Sequence, residues 1–241
     1  STVPSIEAWD PAFAYEMATI IRHGMRQMLV DNIDVIHYLT LYNENYTMPP
    51  APEGSEEGIL AGLYRWAPAP EGHAHRASIL FSGTAQGAAR DAQAELAERW
   101  DVGAELWSAT SYKKLREQAL ESERWNRLHP TDTPRTPLVT SLLGDEGGPV
   151  VAVTDFMKAV PDQVGRWVPR PFVPLGTDGF GRSDTREKLR GFFEVDMPNV
   201  VVATLWGLAQ QGEVKPDLVA DAIAHYGIDT ERTDPRAFDL S

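Results

Sequence analysis

The chain has 241 residues, 42% of them hydrophobic, which is enough to bury the core of one large domain or of one domain and part of another. Its 22 basic and 35 acidic residues give a formal net charge of −13, which argues against a general nucleic-acid or anionic-membrane surface and suits a basic protein partner. Cysteine is absent, which excludes disulfides and thiolate chemistry and is compatible with a reducing cytosol. No apolar run reaches the ~18 residues of a membrane span, and nothing at Ser1 is typical of a signal peptide.

The first 48 residues contain one predicted helix and one predicted strand. Asp10 and Pro11 are typical of an N-cap and of a first helical residue, and apolar residues follow at helical spacing to about Leu29. The β-branched and aromatic run Val35–Tyr42 predicts a strand that is nearly fully buried. Because one helix and one strand do not make a domain, residues 1–48 are interpreted as the end of a domain whose earlier strands are missing.

A linker is predicted at residues 49–76. It opens with the stiff stretch Pro49–Gly54, continues as a short helix at 56–64, and ends in a polar loop at 68–75 that is rich in Pro, Gly and His. We place the domain boundary near residue 55.

The remaining region, residues 77–241, alternates apolar strands with helices. That rhythm predicts an α/β fold, with a mostly parallel sheet covered by helices on both faces. Strands are expected at 77–81, 104–109, 149–153 and 172–175, and helices at 83–100, 112–128, 155–167, 185–193, 199–211 and 216–226.

The stretch Gly176–Asp184 joins the last strand to a helix. Asp184 is a candidate N-cap, with Glu187 at capping-box spacing. Its G-x-x-G-x-G spacing differs from the dinucleotide motif, no Walker lysine follows, and Asp178 and Asp184 would repel a phosphate. A structural strand-to-helix turn is therefore favoured over a phosphate cradle.

Histidines and a polar segment are the next candidates for chemistry. His73 and His75 form an H-x-H pair, but no third ligand lies at useful spacing, so a solvated loop is favoured over a metal site. His37, inside an apolar strand, is interpreted as a satisfied or interface histidine. The segment Asn43–Tyr46 follows a strand end, where it could orient a substrate or fasten two domains.

Two further groups have structural explanations. Arg124–Asn126 and His129 end a helix, where basic side chains favour the helix dipole and the tryptophan can pack beneath them. Asp155 stands after a strand, where catalytic residues occur, but it is equally the N-cap of the next helix, and the cap is favoured. No serine lies in a G-x-S-x-G elbow, so a serine hydrolase has no support.

Four blocks of sequence resemble the homodimeric bacterial pyruvate dehydrogenases, the thiamine diphosphate-dependent first components of the pyruvate dehydrogenase complex. The blocks occur in the same order, and the similarity runs through nearly the whole chain. They are Tyr42–Tyr46 with Met48-Pro49, Glu123–Asn126 with Leu128–Pro130, Thr154–Lys158, and Leu175–Asp196.

The resemblance implies how the chain divides and where the cofactor lies. Residues 1–48 would be the end of the pyrimidine-binding domain, and residues 77–241 a transketolase-like carboxyl-terminal domain. In this family thiamine diphosphate binds between an amino-terminal domain, which carries the magnesium site, and the pyrimidine-binding domain of the other subunit. The activating glutamate lies upstream of this chain. No residue here is therefore assigned a catalytic, cofactor-binding or metal-binding role, and neither thiamine diphosphate nor Mg is expected to bind this fragment alone.

The resemblance also implies a function and partners. The parent enzyme decarboxylates pyruvate and reductively acetylates lipoyl groups on the dihydrolipoyl acetyltransferase component, in the cytoplasm. This part is expected to be inactive alone and to serve homodimer assembly, contact with the missing upstream domains and docking of the acetyltransferase. Neither nucleic acid nor a membrane is expected as a partner. The alternatives are an independent interaction module and a small α/β enzyme without thiamine chemistry.

Overall fold

The computed structural model describes residues 2–237, which contain a two-stranded and a five-stranded sheet. Ser1 and residues 238–241, at the outer limits of the predicted regions 1–48 and 77–241, lie outside the described residues. The strands are β1 Ile6–Trp9, β2 Ile36–Leu39, β3 Tyr64–Ala67, β4 His75–Phe81, β5 Val102–Ser108, β6 Val150–Val153 and β7 Phe172–Leu175. The helices are α1 Ala14–Leu29, α2 Glu56–Ala61, α3 Gln86–Trp100, α4 Tyr112–Leu128, α5 Leu138–Leu143, α6 Ala159–Gly165, α7 Arg186–Phe192, α8 Met197–Gln210 and α9 Pro216–Tyr226.

The five-stranded sheet has the order β3-β5-β4-β6-β7. Strands β4 to β7 run parallel, and β3 pairs antiparallel with β5 at one edge. One face packs on α3, α8 and α9, and the other on α4, α5 and α6. Residues of β6 are buried on both faces, as expected for a parallel strand between two helical layers. The predicted α/β fold with a mostly parallel sheet is confirmed.

Small residues allow two helices to approach this sheet closely. Ala89 and Ala92 of α3 are completely buried against it. In α8, a Cβ at Gly207 would lie only 2.5 Å from the Cβ of Pro149, so any larger residue would push the helix away. The predicted burial of the apolar helix near 199–211 is confirmed, since seven of the fourteen residues of α8 are buried, among them Val200 and Val201 near its start.

Several elements of the carboxyl-terminal region and of the segment before it differ from the sequence predictions. The helix expected at 56–64 ends at Ala61, because Gly62 adopts a left-handed conformation, and β3 follows at once. The sheet thus takes its edge strand from the segment predicted as a linker. Helix α5 was not predicted, and the helix expected from Asp155 begins only at Ala159.

The amino-terminal residues form a β-α-β unit. Strand β1, which was not predicted, pairs in parallel with β2, with Ile6 opposite Ile36. Helix α1 covers one face of this pair, but Ile36 is 60% and Tyr38 is 59% exposed on the other face. The prediction of a nearly fully buried strand at 35–42 is therefore wrong for this chain taken alone, because that second face lines an open cleft of about 760 Å³ beside α4 and α6 and does not pack against them.

Candidate functional site at the junction of the two sheets

The carboxyl ends of strands from both sheets meet at one junction. Asp10 follows β1 and its backbone N–H donates to the carbonyl of Thr110, which follows β5, at 2.8 Å. Ligands of open α/β sheets bind outside the carboxyl ends of the strands. The junction is therefore the place where this fold would hold a site.

Asp10 is the buried acid of the junction. It accepts hydrogen bonds from the hydroxyls of Tyr42, at 2.6 Å, and Thr40, while its Oδ2 has no hydrogen-bond partner among the described residues. Burial raises the pKa of Asp10 to about 6, and the two hydroxyls offset part of that shift. Its predicted role as a helix N-cap is wrong. Phe13 occupies the cap position of α1, and the Asp10 side chain is drawn into the junction instead.

Glu16 of α1, which no sequence argument singled out, joins the amino-terminal β-α-β unit to the five-stranded sheet. Its Oε2 accepts the backbone N–H groups of Ala12 and Phe13, at 2.6 and 3.1 Å. Its Oε1 accepts the hydroxyls of Tyr64 of β3 and Ser108 of β5, both at 2.6 Å. Burial raises its pKa, although these four donors oppose the shift. Its position three residues after the cap was the available signal, because a glutamate there commonly binds the cap N–H.

An open cleft of about 380 Å³ lies beside Tyr42, whose hydroxyl donates to Asp10. Asp155, at the end of β6, lines it and accepts a hydrogen bond from Thr84, and its backbone carbonyl accepts one from Thr177 Oγ1 at 2.7 Å. The predicted N-cap role of Asp155 is wrong, because Lys158 occupies the cap position of α6. The cleft is lined by Tyr42, Asn43, Glu44, Thr84, Asp155, Thr177, Gly179, Gly181, Arg182, Arg186, Leu189, Arg190, Phe193 and Val195.

The segment Asn43–Tyr46 forms one wall of this cleft. Glu44 binds Arg190 of α7 through both carboxylate oxygens, and the Asn43 carbonyl accepts from Arg186. The hydroxyl of Tyr46 donates to the carbonyl of Ala12. The sequence left two roles open for this segment, orienting a substrate and fastening two domains. These contacts correspond to the second role.

The glycine loop 176–184 forms the opposite wall. Asp178 turns away from the cleft and accepts the backbone N–H of Lys158 at 2.9 Å. Gly179 has φ +101°, and a Cβ there would lie 2.3 Å from the carbonyl oxygen of Pro235, so this position requires glycine. The N-cap of α7 is Thr185 and not Asp184 as predicted, since the Thr185 hydroxyl accepts the N–H of Lys188.

The histidines lie apart from this cleft. His73 and His75 have separate partners, Asp101 at 3.3 Å and Glu213 at 3.4 Å. His37 is satisfied on both ring nitrogens, by Trp9 Nε1 at 3.0 Å and a side-chain oxygen of Gln27 at 2.8 Å. Among residues 2–237, no three His, Cys, Asp or Glu side chains are grouped as metal ligands.

Trp125 and Asn126, near the carboxyl end of α4, contact residues that follow closely in sequence. Trp125 stacks on His129 with ring centroids 4.5 Å apart, and the guanidinium of Arg135 lies 4.3 Å from the tryptophan ring. Asn126 accepts the backbone N–H of Arg135 at 2.7 Å. These contacts agree with the structural explanation of this segment. In the described part of the chain, the helices are all too short or too polar to cross a membrane.

Two family profiles match the chain in succession. The profile of the pyruvate dehydrogenase E1 component middle domain matches residues 1–49, and that of the transketolase-like TK C-terminal domain matches residues 62–196.

Over the matched region, three curated relatives are identical to this chain at close to half of the positions. The pyruvate dehydrogenase E1 component of Pseudomonas aeruginosa is 47% identical over 236 residues, which is 98% of this chain and 27% of that protein. The proteins of the same name from Mycolicibacterium smegmatis and Escherichia coli K12 are 48% and 44% identical, over 95% and 98% of this chain and 25% and 26% of those proteins. The chain thus spans about a quarter of the length of these relatives.

Solved structures share the fold at low sequence identity. A transketolase from Leishmania mexicana superposes with a TM-score of 0.61 at 18% identity, covering 86% of this chain and 26% of that one. The R525L mutant of Pichia stipitis transketolase gives 0.59 at 20% identity, covering 87% of this chain and 26% of that one. At these identities the likeness establishes architecture and not chemistry.

Proposed function

Because this chain belongs to the transketolase-like C-terminal domain family, we propose that it is the carboxyl-terminal part of a pyruvate dehydrogenase E1 component. The observation that carries the proposal is the 47% identity to a protein of that name across 98% of the chain. The succession of a middle-domain match and a C-terminal-domain match supports the same assignment.

In the whole enzyme, the reaction is the thiamine diphosphate-dependent decarboxylation of pyruvate and the reductive acetylation of lipoyl groups in the cytoplasm. Among residues 2–237, no three His, Cys, Asp or Glu side chains are grouped as metal ligands, and the family resemblance implies a magnesium site in a domain upstream of the matched region. We therefore assign thiamine diphosphate and Mg to the upstream domains and derive no catalytic step from residues of this chain.

The role proposed for the chain itself is structural support and assembly. Large apolar side chains remain solvent-exposed on β2, along α1 and in the segment between them, and exposed apolar surface of this kind marks an interaction surface. We assign this surface to the missing upstream domains and to the two-fold homodimer. The exposed residues are Ile21, Met25, Met28, Leu29, Val30, Ile33, Ile36 and Tyr38.

The family resemblance implies a second partner, and the charge of the chain supports it. The chain carries a net charge of −13, which complements a basic binding domain and would speed its encounter. We infer that the partner is the dihydrolipoyl acetyltransferase component. Salt-sensitive binding of its subunit-binding domain to this chain is the expected result, and binding that ignores ionic strength or is absent would contradict it.

A chimera tests the enzymatic assignment. This chain would replace the matching carboxyl-terminal quarter of the Escherichia coli relative, which is 44% identical to it. We expect the chimera to decarboxylate pyruvate with thiamine diphosphate, whereas the truncated relative and the isolated chain do not. A folded but inactive chimera would argue against the assignment. Thiamine diphosphate binding by the 241-residue chain alone would favour the small independent enzyme.

A further inference from the structure

We propose that the cleft between the glycine loop and α7 binds the oxyanion group of a small organic ligand, a phosphate monoester or a carboxylate, through Arg182 and Arg186. The inference concerns a site formed by this chain alone, so it does not depend on the activity of the whole enzyme.

The cleft has the size and position of a ligand site. Its volume of about 380 Å³ falls within the range of about 300 to 1,000 Å³ that is usual for small-molecule pockets. Thr84, Asp155 and Thr177, which follow β4, β6 and β7, line it. The cleft therefore lies at the carboxyl edge of a parallel sheet, where α/β folds bind their ligands.

The charges in the cleft favour an anion. The Arg190 charge is neutralised by the two-point contact with Glu44. Arg182 and Arg186 then face one further carboxylate in the lining, that of Asp155, so the cleft is locally cationic within a chain of net charge −13.

The two guanidinium groups are held in place while most of their donors stay available. Arg182 packs over the Phe192 ring at 4.5 Å, and Arg186 donates to the carbonyl of Asn43. Each guanidinium carries five N–H donors in a planar fork that matches the oxygens of phosphate and carboxylate groups.

The sequence analysis disfavoured an anion at this loop because two aspartates lie in it. Asp178 and Asp184 were expected to repel it, but neither lines the cleft. Asp178 accepts the backbone N–H of Lys158, and Asp184 accepts that of Thr185 at 2.7 Å and lies 3.7 Å from Lys188. Both carboxylates are therefore engaged by other groups outside the cleft.

Apolar side chains supply a floor for the rest of the ligand. Leu189, Phe193 and Val195 line the cleft, and the latter two are 9% and 2% exposed. A site with a cationic rim and an apolar floor fits a small organic anion better than a free inorganic ion.

Titration calorimetry on the 241-residue chain tests the proposal, with sodium phosphate and sodium acetate as separate probes at constant ionic strength. The variant is the double substitution Arg182→Gln and Arg186→Gln. The matched control is Arg127→Gln, an exposed arginine of α4 outside the cleft. We expect saturable binding of at least one probe, weakened at least about tenfold in the double variant and unchanged in the control.

Binding of phosphate alone or of acetate alone would identify the anion class. Absence of saturable binding for both probes, or equal affinity in the double variant, would overturn the proposal. A second readout guards against a folding defect: the arginine side-chain N–H resonances of Arg182 and Arg186 should shift on titration in the wild type, whereas that of Arg127 should not. None of these measurements requires pyruvate or thiamine diphosphate, so this proposal and the enzymatic one can fail separately.

Discussion

Arg190 of α7 binds both carboxylate oxygens of Glu44, at 3.2 Å to Oε1 and 2.5 Å to Oε2. The hydrogen bonds to Glu44 raise the pKa of Arg190. About a quarter of each side chain is exposed, 27% for Arg190 and 24% for Glu44, so solvent screens the pair less than it screens a surface ion pair. This contact joins the segment after β2 to the helix after the glycine loop, and thereby fixes both walls of the cleft.

Removing this ion pair should loosen the junction. A double-mutant cycle with Glu44→Gln and Arg190→Gln is expected to give a coupling free energy of about 1 kcal/mol in urea unfolding, because the contact is two-pointed and partly buried. The exposed pair Arg22 and Glu56, 2.6 Å apart with side chains 67% and 63% exposed, is the control and should give at most about 0.5 kcal/mol. Equal coupling in the two cycles would show that burial adds nothing at the junction.

Asp10 should make the fold less stable as the pH rises. Its pKa is raised from 3.8 to about 6 by burial, so its contribution is fully present below pH 3.8 and is lost as the pH rises to about 6. Asp10→Asn removes this titration. Between pH 5 and 7.5, the free energy of unfolding of the variant should therefore improve relative to the wild type by about 1 kcal/mol. Urea unfolding at the two pH values measures the difference, and a gap that stays constant would contradict the raised pKa.

The fold should tolerate replacement of Glu16 by glutamine but not its truncation to alanine. In Glu16→Gln, the amide oxygen can still accept the backbone N–H groups, and the hydroxyls of Tyr64 and Ser108 can rotate to accept from the amide nitrogen. Glu16→Ala leaves four buried donors without their acceptor. We expect losses in unfolding free energy of at most about 1 kcal/mol for the first change and at least about 3 kcal/mol for the second. Equal losses for the two variants would indicate that the charge of Glu16, and not its capacity to accept hydrogen bonds, stabilises the fold.

The open face of β2 should bind hydrophobic probes. Ile36→Thr with Tyr38→Thr replaces two exposed apolar side chains by β-branched residues that suit a strand, so we expect weaker dye fluorescence and less self-association with little loss of stability. Dye titration and light scattering measure the two effects. Leu128→Ser, at a 53% exposed position on α4, is the control and should change neither. Unchanged fluorescence in the double variant would mean that the dye binds elsewhere.

The sequence predicted the sheet because its signals are local and repeated. Apolar runs such as Val150–Val153 leave no polar face for a surface strand, and their alternation with helices leads to a parallel sheet between two helical layers. The edge strands β1 and β3 were missed. Each has only four residues, and each is defined by a partner distant in sequence, β2 for one and β5 for the other.

The chain by itself determined the fold class, the family resemblance and the turn at Gly176–Asp184, because those depend on periodicity and on residues close in sequence. The tertiary structure alone decided the roles of Asp10 and Asp155. Both had sequence neighbours suited to an N-cap, and both were drawn away to partners 30 and 71 positions distant, Thr40 and Thr84. A cap stabilises one helix end and depends on residues close in sequence, whereas the hydroxyl donors that bind Asp10 and Asp155 reach them only in the folded chain.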